Sequence, residues 1–115
     1  MIQRYEQNHR LSQLVVYGKF FESSGQVSEN HHLSTAEQTK EILDKIDSML
    51  STINASISHI TRVQIWLNDM NDFDEMNEVY ERWLENSPKP ARACVGSKLA
   101  KGYKIEIQIF GYLSH

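Results

Sequence analysis

Two segments of this chain repeat their apolar residues with the period of an α-helix, and the other apolar segments alternate with a period of two. That combination leaves few folds open. Ser34-Thr35-Ala36-Glu37 reads as a capping box, in which the Ser hydroxyl meets the Glu37 amide and the Glu37 carboxylate reaches back. Ile42, Ile46, Met49, Leu50 and Ile53 follow at helical spacing, predicting a helix of about 18 residues that ends near Asn54. Asp72-Phe73-Asp74-Glu75 reads as a second capping box with Asp72 as the cap. Phe73, Met76, Val79, Tyr80, Trp83 and Leu84 form its apolar stripe, and the helix should stop before Pro88.

The remaining apolar residues read as strands. Leu14 to Tyr17 and Phe20 to Ser24 flank Gly18-Lys19, where Gly at the first of two turn positions suits a type II′ hairpin. A further short strand is expected within residues 2–7, and residues 25–33 read as loop. Ile60 to Leu67 sets Val63, Ile65 and Leu67 against Arg62, Gln64 and Trp66. Ala91, Ala93 and Val95 alternate with Arg92, Cys94 and Gly96. After a turn at Lys101-Gly102, Ile105, Ile107 and Ile109 alternate with Lys104, Glu106, Gln108 and Phe110. The order is β-β-(β)-α-β-α-β-β. Two amphipathic helices can cover one face of one mixed sheet, so the expected class is an α+β two-layer sandwich. At 115 residues this is one domain spanning 1–115.

Charge and composition exclude several functions. Lys and Arg number 12 against 15 Asp and Glu, a net charge of −3, so a nucleic-acid partner is not expected. The basic group Lys98, Lys101 and Lys104 reads as a solvated turn. The apolar runs are far short of the roughly 20 residues a membrane helix needs, and residues 1–8 lack a signal-peptide pattern, so the expected compartment is the cytoplasm. Cys94 is the sole cysteine and cannot form an internal disulfide; alone, it reads as a small core residue. His9, His31, His32, His59 and His115 show no metal-ligand spacing. Asp69, Asp72 and Asp74 lack the Gly and Glu that a calcium loop needs at its later positions. No phosphate-binding glycine motif or nucleophile elbow occurs.

If the small and branched residues of the last two strands face the helices, the uncovered face carries Arg92, Cys94, Gly96, Glu106 and Gln108. The same parity adds Arg62, Gln64 and Trp66 from the middle strand. Such a face is either an ordinary wet surface or an oligomer interface in which ionisable residues line a cleft. Large aromatics and Arg are enriched at interfaces, and an Arg in a partly dry cleft suits a small carboxylate. An Arg, a Glu and a thiol name no reaction by themselves.

Several short runs together resemble the RidA/YjgF (reactive intermediate deaminase) family: Ser24-Gly25-Gln26, Asn68-Asp69-Met70-Asn71-Asp72-Phe73, Asn77-Glu78-Val79-Tyr80, Pro90-Ala91-Arg92-Ala93-Cys94-Val95 and Lys104-Ile105-Glu106-Ile107. The match covers residues 12–112. The resemblance implies a chorismate-mutase-like fold, a homotrimer with sites in the clefts between subunits, and cofactor-free hydrolysis of reactive 2-imino acids to 2-oxo acids and ammonia. Under it, Arg92 clamps the substrate carboxylate, Glu106 orients or activates water, and Ser24, Gly25, Asn77 and Cys94 line the pocket. The implied partners are small 2-imino or 2-oxo carboxylates and the chain itself. RidA-type members carry Gly-Pro-Tyr near the N-terminus, whereas Arg10-Leu11-Ser12 stands here with Leu11 near the Tyr position, and the loop over 98–104 is one residue shorter. These departures resemble the YoaB-like members. They keep two alternatives open: a non-catalytic carboxylate-binding trimer and an endoribonuclease or translation inhibitor.

Overall fold

The computed structural model describes residues 1–114. Six strands and two long helices follow the expected order: β1 (Ile2–Gln7), β2 (Ser12–Tyr17), β3 (Phe20–Ser23), α1 (Thr35–Thr52), β4 (Ile60–Leu67), α2 (Phe73–Trp83), β5 (Ala91–Gly96) and β6 (Ile105–Tyr112). The strands form one sheet in the order β1-β2-β3-β6-β4-β5. Every pairing is antiparallel except β4 with β5, which α2 joins as a parallel crossover. The β2–β3 turn has Gly18 at φ +61°, and Lys19 is not among the positive-φ residues, as a type II′ turn requires.

The helices lie on one face, and the core fills the space between. Ile42, Ile46 and Leu50 of α1 and Met76, Tyr80 and Leu84 at α2 pack over Val63, Ile65, Ile105, Ile107 and Ile109, all buried. Each such aliphatic side chain contributes roughly 1.5–3 kcal/mol of apolar burial. The expected stripes of both helices are therefore the ones used. Helix α1 ends at Thr52, and Asn54 breaks the chain direction at φ +56°.

The two capping expectations part company. At α1, Ser34 Oγ accepts from Glu37 N–H at 3.1 Å and Glu37 Oε1 accepts from Ser34 N–H at 2.9 Å. At α2, Asp72 makes no side-chain cap bond, so the second capping box does not form. Instead Asp72 Oδ2 accepts from Thr35 Oγ1 at 2.6 Å, and Glu75 Oε2 accepts from Ala36 N–H at 2.9 Å. The acids at the start of α2 thus satisfy donors at the start of α1, where the helix dipole also favours negative charge. A single turn at Met70–Asp72, capped by Asp69, precedes α2 and displaces Asp72 from the capping geometry.

Candidate functional site

Residues directly opposite in a ladder share a face of the sheet. In β6, Glu106 lies opposite Trp66 and Gln108 opposite Gln64, while Phe110 lies opposite Arg62. All these stand on the face away from the helices, as expected. On the same face Arg62 sits over the Phe110 ring at 4.4 Å, and the rings of Tyr17, Phe20 and Tyr112 form a chain at 5.9 and 5.1 Å.

Strand β5 runs the other way round from its sequence reading. Val63 is opposite Arg92, Ile65 opposite Cys94 and Leu67 opposite Gly96. Arg92, Cys94 and Gly96 therefore belong to the helix side, and Ala93 and Val95 to the open face, where Val95 is 45% exposed. The physical reason is α2, which presents to Arg92 a surface that suits its planar cation. Arg92 Nη1 donates to Asn77 Oδ1 at 2.6 Å, and its guanidinium carbon lies 4.9 Å from the Tyr80 ring centre and 5.8 Å from that of Phe73. An arginine stem can lie on apolar surface while its head stays wet, so Arg92 is exposed while its base is packed. Cys94 packs against the core beneath it, and burial pushes its thiol up, with the Arg92 charge opposing in part. A thiol held protonated is a poor nucleophile.

The second group of predicted residues surrounds Glu106. After β3 the chain follows β6: Gln26 and Ile107 exchange backbone bonds at 2.7 and 3.0 Å, so the stretch read as loop contains one ladder rung. Ser24 Oγ donates to the Ser12 carbonyl at 2.7 Å, fixing the turn before this rung. Gly25 then lies against the Glu106 carboxylate so closely that a Cβ there would fall 1.9 Å from Oε2. Burial pushes the Glu106 carboxyl above its ordinary range. Tyr103 and Glu29, which the sequence reading passed over, tie the next part of the same two segments together: Tyr103 OH donates to the Glu29 carboxylate at 3.1 Å.

The six predicted residues thus gather into two groups. Arg92, Asn77 and Cys94 gather on the helix side of edge strand β5, and Gly25 meets Glu106 on the open face of β6, with Ser24 next to Gly25 in the chain and its hydroxyl turned to the Ser12 carbonyl. The two groups lie on opposite faces of the sheet, with β4 between their strands. A cavity of about 550 Å³ between α1 and the β1–β2 hairpin includes neither Arg92 nor Glu106. Among the described residues no group of three His, Cys, Asp or Glu could hold a metal ion, and His115 lies outside them. No helix among them is long and apolar enough to cross a membrane.

Residues 1–113 match the family model described as Endoribonuclease L-PSP. The chain belongs to this family. It is 37% identical to a RutC family protein of Haemophilus influenzae over 110 residues, covering 94% of this chain and 95% of that one. A RutC family protein of Haemophilus ducreyi is 30% identical over 116 residues, covering 100% and 99%. The crystal structure of a YjgF family member from Neisseria meningitidis superposes with a TM-score of 0.94 at 34% identity, covering 100% of this chain and 97% of that one. The two helices on a mixed six-stranded sheet are the fold of that relative, which places the whole chain within the RutC/YjgF group.

Proposed function

We propose that this protein is a cytoplasmic homotrimeric hydrolase that converts reactive 2-imino acids to 2-oxo acids and ammonia, without a cofactor, in clefts between its subunits. One observation carries the reading: the two halves of the candidate site lie on opposite faces of the same sheet. A site needing both can be completed only where Arg92 of one copy meets Glu106 of another. The exposed aromatics of the open face, Phe20 at 52% and Tyr112 at 43%, are the kind of surface that subunits cover.

The chemistry follows from the two halves. The substrate carbon carries an imine nitrogen and a carboxylate, so it is already electrophilic. Arg92 holds the carboxylate with the fork donors that Asn77 does not use. Glu106 takes a proton from water as the oxygen adds to the imine carbon and returns it to nitrogen. Collapse of the carbinolamine expels ammonia and leaves the 2-oxo acid. Burial raises the carboxyl above its ordinary range, which makes Glu106 a stronger base for the first transfer and a better-matched acid partner for the second. The absence of a side chain at Gly25 leaves room for the Glu106 carboxylate.

The test generates 2-iminopropanoate and 2-iminobutanoate in situ and traps the surviving imine with semicarbazide. The wild type should suppress trapping; Arg92→Ala and Glu106→Gln should each fail while keeping the oligomer. Mixing the two inactive variants should restore roughly a quarter of the sites in a random assembly, because some interfaces pair an intact Arg92 with an intact Glu106. Absence of turnover by the wild type, with retained binding of 2-oxo acids at Arg92, would favour the carboxylate-binding alternative.

A further inference from the structure

Resting on the reading above, we infer that Gln26 is a positioning residue for the proposed reaction: its side-chain amide and its backbone together fix the turn at Ser24 and Gly25 against the Glu106 carboxylate.

Gln26 is 4% exposed, and a polar side chain is costly to bury unless its hydrogen bonds are made. Its amide nitrogen donates twice, to Gln13 Oε1 at 2.8 Å and to the Ser24 carbonyl at 3.1 Å. A backbone carbonyl only accepts, so the amide must turn its nitrogen to Ser24, and Gln13 must then turn its oxygen to Gln26. The bond to Ser24 holds the peptide plane that joins Ser24 to Gly25. The other side of the turn is tied to β2: the Ser24 N–H donates to the Gln13 carbonyl at 3.0 Å, and the Ser24 hydroxyl to the Ser12 carbonyl at 2.7 Å. The backbone of Gln26 acts on the opposite partner. Its N–H donates to the Ile107 carbonyl at 2.7 Å, and its own carbonyl accepts from the Ile107 N–H at 3.0 Å. Ile107 follows Glu106 in β6, so one residue holds both members of the contact between Gly25 and Glu106. That contact is close: a Cβ at Gly25 would fall 1.9 Å from Oε2, so the turn backbone is the surface on which the carboxylate rests. A methionine has the length to fill the same space; what glutamine adds is the two donors. The cavity of about 550 Å³ between α1 and the β1–β2 hairpin is lined by both Gln13 and Gln26. Water from that side can serve the Ser24 carbonyl once the amide is gone, so its loss should loosen the turn and leave the fold standing.

The experiment compares the wild type with Gln26→Met. Turnover of 2-iminobutanoate is followed by semicarbazide trapping, and 2-oxobutanoate is titrated onto each protein. The Glu106 carboxyl is titrated by carboxyl-carbon NMR, with Glu106→Gln identifying its signal. Gln26→Met should lose roughly tenfold to a hundredfold in kcat. KM and the affinity for 2-oxobutanoate should stay within about twofold, because the Arg92 clamp lies on the other face. A kcat within about twofold of the wild type overturns the inference and leaves the reading of Arg92 and Glu106 standing. So does a loss shared equally by kcat and 2-oxobutanoate affinity, which marks a general loosening of the fold. If the wild type turns over no imine, that reading fails by itself and the Glu106 titration decides. A midpoint that falls toward the ordinary carboxylate range in Gln26→Met, as water reaches the loosened contact, supports the positioning role; an unchanged midpoint overturns it. If Gln26→Met does not fold, Gln13→Met removes one of the two acceptors at a less buried residue. The same criteria then apply, with an expected loss in kcat of roughly threefold to tenfold.

Discussion

Arg92 on β5 is tied to Asn77 on α2 by a 2.6 Å hydrogen bond from Nη1 to Oδ1. Asn77 is one helical turn before Tyr80, so the amide and the ring grip the same guanidinium from one helix face. The bond spends one donor of the fork and aims the others away from the helix. Losing it frees an exposed arginine to sample other rotamers.

Asn77→Ala should therefore weaken binding of a small 2-oxo carboxylate by roughly tenfold to a hundredfold, the worth of one hydrogen bond to a charged group. Arg92→Lys should lose at least as much, because an ammonium cannot make a bidentate contact or lie flat on Tyr80. Titration of 2-oxobutanoate onto the three proteins measures both. Equal affinity in wild type and Asn77→Ala would show that the pair does not orient the clamp.

Gly25→Ala isolates the other half of the site. The new methyl group would occupy the place of Glu106 Oε2, and the flexible carboxylate end can give way, so the fold should survive. The displaced carboxylate should no longer address the imine carbon, and turnover should fall on the order of a hundredfold. Unchanged turnover would mean that the place Gly25 leaves for the Glu106 carboxylate does not matter to the proposed reaction.

Glu106→Gln should separate stability from activity. Burial raises the folded-state pKa of this carboxyl above its unfolded value. The folded state then holds the proton more tightly, so ionisation costs stability as pH rises through the ordinary carboxylate range to the raised value. Below that range the cost is absent. Glu106→Gln should melt higher than the wild type at neutral pH, match it near about pH 4, and be inactive throughout. A variant less stable than the wild type at neutral pH would show that the charged carboxylate is compensated in the fold.

The helix stripes, the hairpin and the alternation of β4 and β6 were legible because each buries a long row of unambiguous aliphatics, from Ile42 to Leu50 and from Ile105 to Ile109. Strand β5 was not, because Ala and Val on one parity weigh little more than Cys and Gly on the other. Its facing was settled by distant groups: the parallel register that sets Cys94 beside Ile65, and the Asn77 and Tyr80 surface that receives Arg92. The six candidate residues came from the family resemblance, and a period of two applied to the wrong parity put Arg92 and Glu106 on one face. Tyr103 escaped notice because it sits in a turn without periodicity, fixed by Glu29 far away in sequence.

Asp72 shows the same limit at a helix end, and it can be tested by a cycle. The sequence pattern assigns its carboxylate to α2, yet it accepts from the hydroxyl of Thr35, which is 2% exposed at the start of α1. Removing the acceptor leaves a buried hydroxyl without that partner, so Asp72→Ala should cost about 1–3 kcal/mol in urea unfolding. Thr35→Val removes the donor with little change of shape. Once the hydroxyl is gone, removing the carboxylate should cost much less, so the two losses should fall short of additivity by roughly 1–2 kcal/mol. A local cap on α2 would predict additive losses, since Thr35 plays no part in it. Non-additivity therefore identifies Asp72 as the pin between the two helix N-termini, and through α2 as part of the frame that sets Asn77 against Arg92.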